Sequence, residues 1–154
     1  LLAGVAAEGV DCSFVRRVQG ARSALASILV DTHGERVIVP FYDPKTQADP
    51  ETLPVTDLAA FDAVLVDVRW PGAAALALTA ARSAGRPAIL DADTAPLEVL
   101  ELLLPLASHI VASETAARIV CGHALGPETA CADLASRTDA FVAVTGGAAG
   151  SWLA

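Results

Sequence analysis

The stretch AVLVDVRWPGAAALALTAARSAGRPAILDAD, residues 63–93, decides the fold because it reads as a strand, a helix and a strand. Ala63–Asp67 and Ala88–Asp91 are short apolar runs typical of buried strands. Between them, Gly72–Ala84 is rich in alanine and leucine, follows Pro71 and is closed by Gly85, which predicts a helix. A unit of this length predicts parallel strands joined by a crossover helix.

The same alternation continues to the end of the chain. The further predicted elements are a helix at Pro96–Leu104 with Thr94 as a candidate cap, a strand at Ile110–Ser113, a helix at Glu114–Val120 closed by Gly122, a helix at Pro127–Ser136, a strand at Ala140–Thr145 and a strand-like run at Ser151–Leu153. Repeated alternation of this kind predicts an α/β domain in which helices cover the faces of a parallel sheet.

The beginning of the chain follows a different pattern. Leu1–Glu8 reads as the end of a helix, and residues 42–57 read as a loop. The β-rich runs Ala21–Val30 and Glu35–Phe41 are joined by DTHG at 31–34, which predicts a hairpin. Both arms carry apolar residues on both faces, so we expect the hairpin to cover a partner subunit or the mouth of a site.

Composition indicates one globular domain with a hydrophobic core. Of the 154 residues, 54% are hydrophobic and 18% are charged, which argues against disorder. The formal net charge of −8 argues against non-specific binding to nucleic acid or to an anionic membrane. Because the chain begins with Leu1 and contains no methionine, we expect a piece of a longer protein, with both ends cut inside the fold.

Cysteines and histidines form no recognisable catalytic or metal-binding pattern. The cysteines at 12, 121 and 131 are odd in number and lack metal-ligand spacing, so we expect buried apolar roles and a reducing, cytosolic compartment. The histidines at 33, 109 and 123 are scattered, and we expect surface or structural roles for them.

Polar residues follow several predicted strands at the point where each strand ends. The clusters are Asp67, Arg69 and Trp70; Asp91 and Asp93; Ser113 and Glu114; and Thr145–Gly150. Because the carboxyl ends of parallel strands share one edge of a sheet, where ligands bind, we expect the clusters to form one site.

The first two clusters allow alternative roles. Arg69 could hold an anionic group or sugar hydroxyls through its fork of donors, or it could pair with Asp67 or another carboxylate. Asp91 and Asp93 could organise water and Mg²⁺ around a phosphate, or they could cap a helix or form a turn.

The other two clusters are equally open. Ser113 suits a helix N-cap and Glu114 suits the first helical turn, which explains both residues without a Mg²⁺ site. Thr145–Gly150 is neither a Walker motif nor a dinucleotide fingerprint, since a strand-like run follows it. Its glycines could still let main-chain amides approach an anion.

Taken in chain order, these motifs resemble those of the PfkB, or ribokinase-like, carbohydrate kinases. Gly9-Val10-Asp11 followed by Val30–Arg36 resembles the lid segment of that family, and Thr145–Gly150 resembles its T.G..G nucleotide turn. Leu65–Trp70 and Leu90–Asp93, together with Ser113-Glu114, are closest to the sulfofructose kinase branch, and ketohexokinases are similar but less so. The resemblance covers essentially the whole chain and identifies it as a central fragment.

The resemblance implies one ribokinase-like, three-layer α/β domain, truncated, over residues 1–154. Residues 21–42 would be its β-hairpin lid and residues 61–154 its βαβ core. It implies transfer of the γ-phosphoryl group of ATP to a hydroxyl of a ketose-like or anionic sugar, with Mg²⁺ as cofactor. The hairpin would close over the sugar and make a homodimer contact, and the protein would be cytoplasmic.

The resemblance also assigns roles to individual residues. Arg69 and Ser23 would bind the sugar; Ser113, Thr145, Gly147 and Gly150 would bind the nucleotide; Asp93 and Glu114 would face the Mg²⁺. No catalytic residue is assigned, because the family's glycine-rich substrate motif and the motif with its catalytic aspartate lie outside this chain.

Two departures from the family pattern bear on the function, and the first of them favours an alternative. The family's N..E motif reads Ser113-Glu114-Thr115-Ala116 here, without its asparagine or final glutamate. Pro40 stands where the lid asparagine that helps bind a sulfonate is expected, which argues against a sulfosugar. The alternative function is a non-catalytic, kinase-like sensor of a sugar or nucleotide.

Overall fold

The computed structural model describes residues 1–47, 49–50, 53–122 and 124–154. The chain divides into two compact units, residues 1–49 and residues 50–154. His123 and part of the predicted 42–57 loop lie outside the described residues.

The first unit contains a short helix and a predicted hairpin that the structure confirms. Oδ1 of Asp31 shapes the turn by accepting hydrogen bonds from the amides of His33 at 2.8 Å and Glu35 at 2.9 Å. Gly34 has a φ of +85°, which residues with a side chain rarely adopt. The elements are α1 (Leu2–Ala7), β1 (Leu25–Val30) and β2 (Arg36–Phe41).

The hairpin presents apolar side chains on both of its faces. Ile28 lies opposite Ile38 on one face, and Leu29 lies opposite Val37 on the other. Every residue of β1 and β2 is exposed. The carboxylate of Asp43 lies at the open end of the hairpin, where it accepts hydrogen bonds from the main-chain amides of Arg22 and Lys45. These hydrogen bonds lower the pKa of Asp43.

The second unit is a five-stranded sheet flanked by helices, with its strands in chain order. Strands β3 to β6 are parallel, and β7 is antiparallel to β6 because residues 146–150 form a turn too short for a crossover. The elements are β3 (Val64–Asp67), α2 (Pro71–Ser83), β4 (Ala88–Ala92), α3 (Leu97–Leu103), β5 (His109–Ser113), α4 (Glu114–Cys121), α5 (Pro127–Arg137), β6 (Phe141–Thr145) and β7 (Ser151–Leu153).

The core lies between this sheet and its helices. Alternate residues of β4 and β5 are buried, as are residues 142–144 of β6, and small alanines of the helices let the backbones approach the sheet closely. No polar or charged side chain is fully buried among the described residues. The fully buried large side chains include Leu78, Leu90, Leu100, Leu103, Ile110, Leu134, Val142 and Val144.

One candidate helix cap is wrong. Thr94 does not cap α3, which begins at Leu97 with Pro96 as its N-cap and no side-chain cap hydrogen bond. The reason is steric, since a residue before proline avoids helical geometry, and Pro96 itself has a ψ of 144°, outside the helical region. Asp91 and Asp93 do not cap α3 either.

None of the described helices is both long enough and apolar enough to cross a membrane.

Candidate active site

The parallel register places the carboxyl ends of β3 to β6 along one edge of the sheet, as the strand-end clusters predict. Asp67 at the end of β3 pairs in register with Asp91 of β4. Ser113 at the end of β5 pairs in register with Thr145 of β6. The candidate site lies along this edge.

Arg69 connects the first two strand ends. Its Nη2 lies 2.9 Å from Oδ2 of Asp93, and its Nη1 donates to the carbonyl of Thr94 at 3.2 Å. Asp67 contacts the main chain of the same residue, since its Oδ1 accepts a hydrogen bond from the Arg69 amide at 2.9 Å. The guanidinium of Arg69 thus has a carboxylate partner in Asp93.

The Arg69–Asp93 pair is accessible to a ligand. The two side chains are 42% and 50% exposed. Guanidinium donors and a carboxylate acceptor lie side by side, an arrangement that suits sugar hydroxyls, which both donate and accept. An anionic group would instead have to compete with Asp93 for Arg69.

Ser113 and Glu114 hold the start of α4. Oγ of Ser113 accepts from the Ala116 amide at 3.1 Å and caps the helix. The carboxylate of Glu114 is hydrogen-bonded to Arg118, four residues later on the same helix. Ser113 thus acts as the N-cap and Glu114 lies in the first turn of the helix, as expected from the structural alternative.

The chain supplies no complete magnesium site in its described part. Residues 1–47, 49–50, 53–122 and 124–154 contain no group of at least three His, Cys, Asp or Glu side chains that could hold a metal ion. Asp93 and Glu114 each have an arginine partner. The residues present do not fit a Mg²⁺ site by themselves, and the roles of Asp93 and Glu114 toward Mg²⁺ stay predictions.

The glycine turn follows β6 directly. Gly147 and Gly150 have φ values of +58° and +93°, in the left-handed region that favours glycine. The turn is closed by a hydrogen bond of 2.8 Å from the Gly146 amide to the Gly150 carbonyl. Oγ1 of Thr145 donates to the Ala112 carbonyl of β5 at 3.4 Å, which ties the start of the turn to the neighbouring strand.

Ser23 belongs to the first unit, just before β1. It lines a cavity of about 590 Å³ within that unit, together with Arg16, Arg17 and Arg22. Sequence reasoning did not single out these arginines, although their clustering in an acidic chain is a detectable signal.

Cys121, Cys131 and His109 of the second unit have structural settings. Burial raises the pKa of Cys131, and burial with a hydrogen bond to the Asp133 carboxylate raises the pKa of Cys121 to about 11. Neither is therefore an activated thiolate. His109 lies at the amino end of β5, with its Nδ1 2.9 Å from Oγ of Ser108.

Comparison with known proteins assigns the fold and the family. The model of the pfkB family carbohydrate kinases matches residues 1–154. A crystal structure from Agrobacterium tumefaciens, provisionally described as a ribokinase, is 46% identical over 99% of this chain, with a TM-score of 0.88. The predicted ribokinase-like α/β fold is confirmed.

Two more distant structures share the fold. Arabidopsis thaliana ribokinase, complexed with ribose and ATP, is 22% identical over 94% of this chain, with a TM-score of 0.73. Burkholderia thailandensis nucleoside kinase, in complex with inosine, is 18% identical over 97%, also with a TM-score of 0.73.

The chain spans about half the length of each of these structures, 50%, 49% and 49% respectively. The family model nevertheless matches it from end to end, in agreement with the resemblance noted from the motifs. This chain belongs to the pfkB family of carbohydrate kinases.

Proposed function

We propose that the protein is an ATP-dependent kinase that transfers the γ-phosphoryl group to a hydroxyl of a sugar or of a sugar-bearing nucleoside. The observation that carries the proposal is the match of the carbohydrate kinase family over residues 1–154. Ribokinase and a nucleoside kinase share the fold. Catalysis would consist of positioning and charge stabilisation, as in phosphoryl transfer generally.

The nucleotide would bind at the turn Thr145–Gly150. Its position at the carboxyl end of a parallel strand supports this role, since ligands of α/β folds bind at that edge. Glycines at 147 and 150 leave the main chain open to the phosphates of ATP. Ser113, in register with Thr145, would line the same part of the edge.

The sugar would bind at Arg69. Because Arg69 already has Asp93 as a partner, the pair favours a neutral sugar hydroxyl over an anionic group. A ketose-like or anionic sugar, Ser23 as a second contact and closeness to the sulfofructose kinases remain predictions from the sequence. Mg²⁺, when bound with ATP, would neutralise phosphate charge.

The hairpin formed by β1 and β2 would serve as a lid and as the contact of a homodimer. Its support is the apolar, exposed character of both faces, for example Ile28 and Leu29 on opposite sides. A cytoplasmic location is supported by free cysteines at 12, 121 and 131, as expected in a reducing compartment.

A non-catalytic sensor of sugars or nucleotides is the second candidate. The engagement of Asp93 and Glu114 by arginines favours it, because these carboxylates are the predicted Mg²⁺ contacts. A sensor would bind the same ligands without turning them over.

Measurement of ADP release from the full-length protein separates the two candidates. The panel comprises ketoses, aldoses, nucleosides and sugar phosphates, each with ATP and Mg²⁺, and a reaction without acceptor is the control. We expect acceptor-dependent release of ADP and a phosphorylated product by mass spectrometry. Binding of an acceptor by calorimetry without release would favour the sensor, and absence of both would refute the two candidates.

A further inference from the structure

The indole of Trp152 lies against the main chain of Gly146, at the start of the glycine turn. A Cβ atom on residue 146 would lie 2.5 Å from Cζ3 and 3.0 Å from Cη2 of Trp152. Non-bonded carbon atoms prefer a separation of about 3.5–4.0 Å. A side chain at 146 would therefore displace either the indole or the turn.

The requirement for glycine at 146 comes from this contact and not from the backbone. Gly146 has a φ of −122°, which any residue adopts. The other glycines of the turn show the reverse: Gly147 and Gly150 have positive φ, and a Cβ on either would meet nothing within 4 Å.

Trp152 is the better anchored partner in the contact. It pairs with Val144 in the β6–β7 ladder and packs against the buried core. Its carbonyl accepts a hydrogen bond from Sγ of Cys131 on α5 at 3.3 Å. A clash at 146 should therefore move the turn rather than the indole.

A shift of Gly146 would also displace the other residues of the turn, because hydrogen bonds link them. Its amide bonds the Gly150 carbonyl at 2.8 Å, and its carbonyl accepts from the Ala149 amide at 3.1 Å. The Gly150 amide in turn bonds the Gly147 carbonyl at 3.1 Å. The position of Gly146 thus sets the positions of Gly147 and Gly150.

We propose that Trp152 is a positioning residue for nucleotide binding. Its indole holds Gly146, and through it the main chain of Gly147–Gly150, in the conformation that accepts the phosphates of ATP or ADP. The inference rests on the proposed function, because it takes the turn to be the nucleotide site.

A mutant cycle in the full-length protein tests this role. Gly146→Ala, Trp152→Phe and the double variant are compared by calorimetric titration with ADP. Gly146→Ala should weaken ADP binding about ten-fold. In free energy this factor equals the cost of holding about one side chain away from its preferred rotamer. Phenylalanine lacks the outer atoms of the indole, Cζ3 and Cη2, so a Cβ at position 146 should no longer clash. The double variant should therefore bind ADP within about two-fold of Trp152→Phe alone.

Controls distinguish positioning from a general loss of stability. Gly126→Ala adds a Cβ in open space at a φ of −71° and should leave ADP affinity unchanged. The thermal midpoint of each variant is measured in parallel, and the KM for sugar should stay constant while the KM for ATP rises in Gly146→Ala.

Specific results would overturn the inference. Unchanged ADP affinity in Gly146→Ala, with or without a lower thermal midpoint, shows that the contact is structural only. A double variant that binds ADP about ten-fold more weakly than Trp152→Phe alone shows that Trp152 is not the cause of the loss in Gly146→Ala. Absence of ADP binding in the unaltered protein refutes the proposed nucleotide site itself, and this inference with it.

Discussion

The Arg69–Asp93 ion pair is the side-chain contact on which the proposed sugar site depends. With 42% and 50% of the side chains exposed, water screens the attraction between them. Exposed pairs of this kind contribute about 0–1 kcal/mol to folding stability. A sugar hydroxyl can therefore insert between these groups at small cost, which suits a binding role.

Replacement of Arg69 by alanine should raise the KM for sugar and leave the fold intact. Loss of a charged hydrogen bond to the substrate costs about 1.5–3 kcal/mol, or roughly ten- to one-hundred-fold in KM. The KM for ATP should change much less. Steady-state kinetics of the full-length Arg69→Ala variant with its best acceptor provide the measurement.

Arg137→Ala is the matched control for this variant. Arg137 also forms an ion pair, with the half-buried Asp133, but it ends α5 and precedes the amino end of β6, the opposite edge of the sheet. Its removal should leave the KM for sugar unchanged. An unchanged KM in Arg69→Ala would exclude Arg69 from the sugar site.

The partner of Arg69 shows the limit of local reasoning. Sequence analysis predicted either a ligand or a carboxylate such as Asp67, two residues away. In the structure the guanidinium reaches Asp93, which is 24 residues away in the chain. The parallel pairing of β3 with β4 brings the two loops together, and no local spacing encodes that contact.

Helix α4 depends on its cap, which gives a test of the structural role of Ser113. Ser113→Ala removes the side-chain acceptor of the Ala116 amide and should lower the free energy of unfolding by about 1 kcal/mol. Urea denaturation of the full-length protein measures the difference.

Ser113→Asn tests whether the helix requires serine in particular or any side chain that can cap it. Asparagine is an equally good N-cap, so stability should be retained. If Ser113→Ala and Ser113→Asn unfold at the same urea concentration as the unaltered protein, the cap contributes nothing.

Most helices and strands could be predicted because their signals are local. Pro71 starts α2 and Gly85 follows its end with a φ of +67°, as the sequence suggests. The cap of α3 was predicted less well, since Thr94 was the candidate, whereas Pro96 is the N-cap and the helix begins at Leu97. The antiparallel direction of β7 follows from the short turn before it.

At the scale of the whole molecule, the exposed apolar hairpin leads us to expect a homodimer. Substitutions on its two faces can show which face forms the interface. Ile28 and Leu29 are 58% and 64% exposed and point to opposite faces, so an aspartate at either position should not unfold the hairpin. One of Ile28→Asp and Leu29→Asp should halve the molar mass of the proposed homodimer, as measured by light scattering with size-exclusion chromatography.

The two variants serve as controls for each other. The face outside the dimer contact would cover the sugar, so the variant that keeps the dimer should raise the KM for sugar. A monomeric unaltered protein would contradict the dimer, and an intact dimer with unchanged KM in both variants would contradict both roles of the hairpin.

The sequence by itself determined the kind and order of the elements, the hairpin and the family, because periodicity, turn residues and motifs are read along the chain. Only the tertiary structure decided which residues meet: Arg69 with Asp93, Glu114 with Arg118, and Gly146 with Trp152. The physical reason is that side-chain partners follow from strand pairing and packing. A glycine required by a neighbouring indole looks, in the sequence, like any other glycine of a turn.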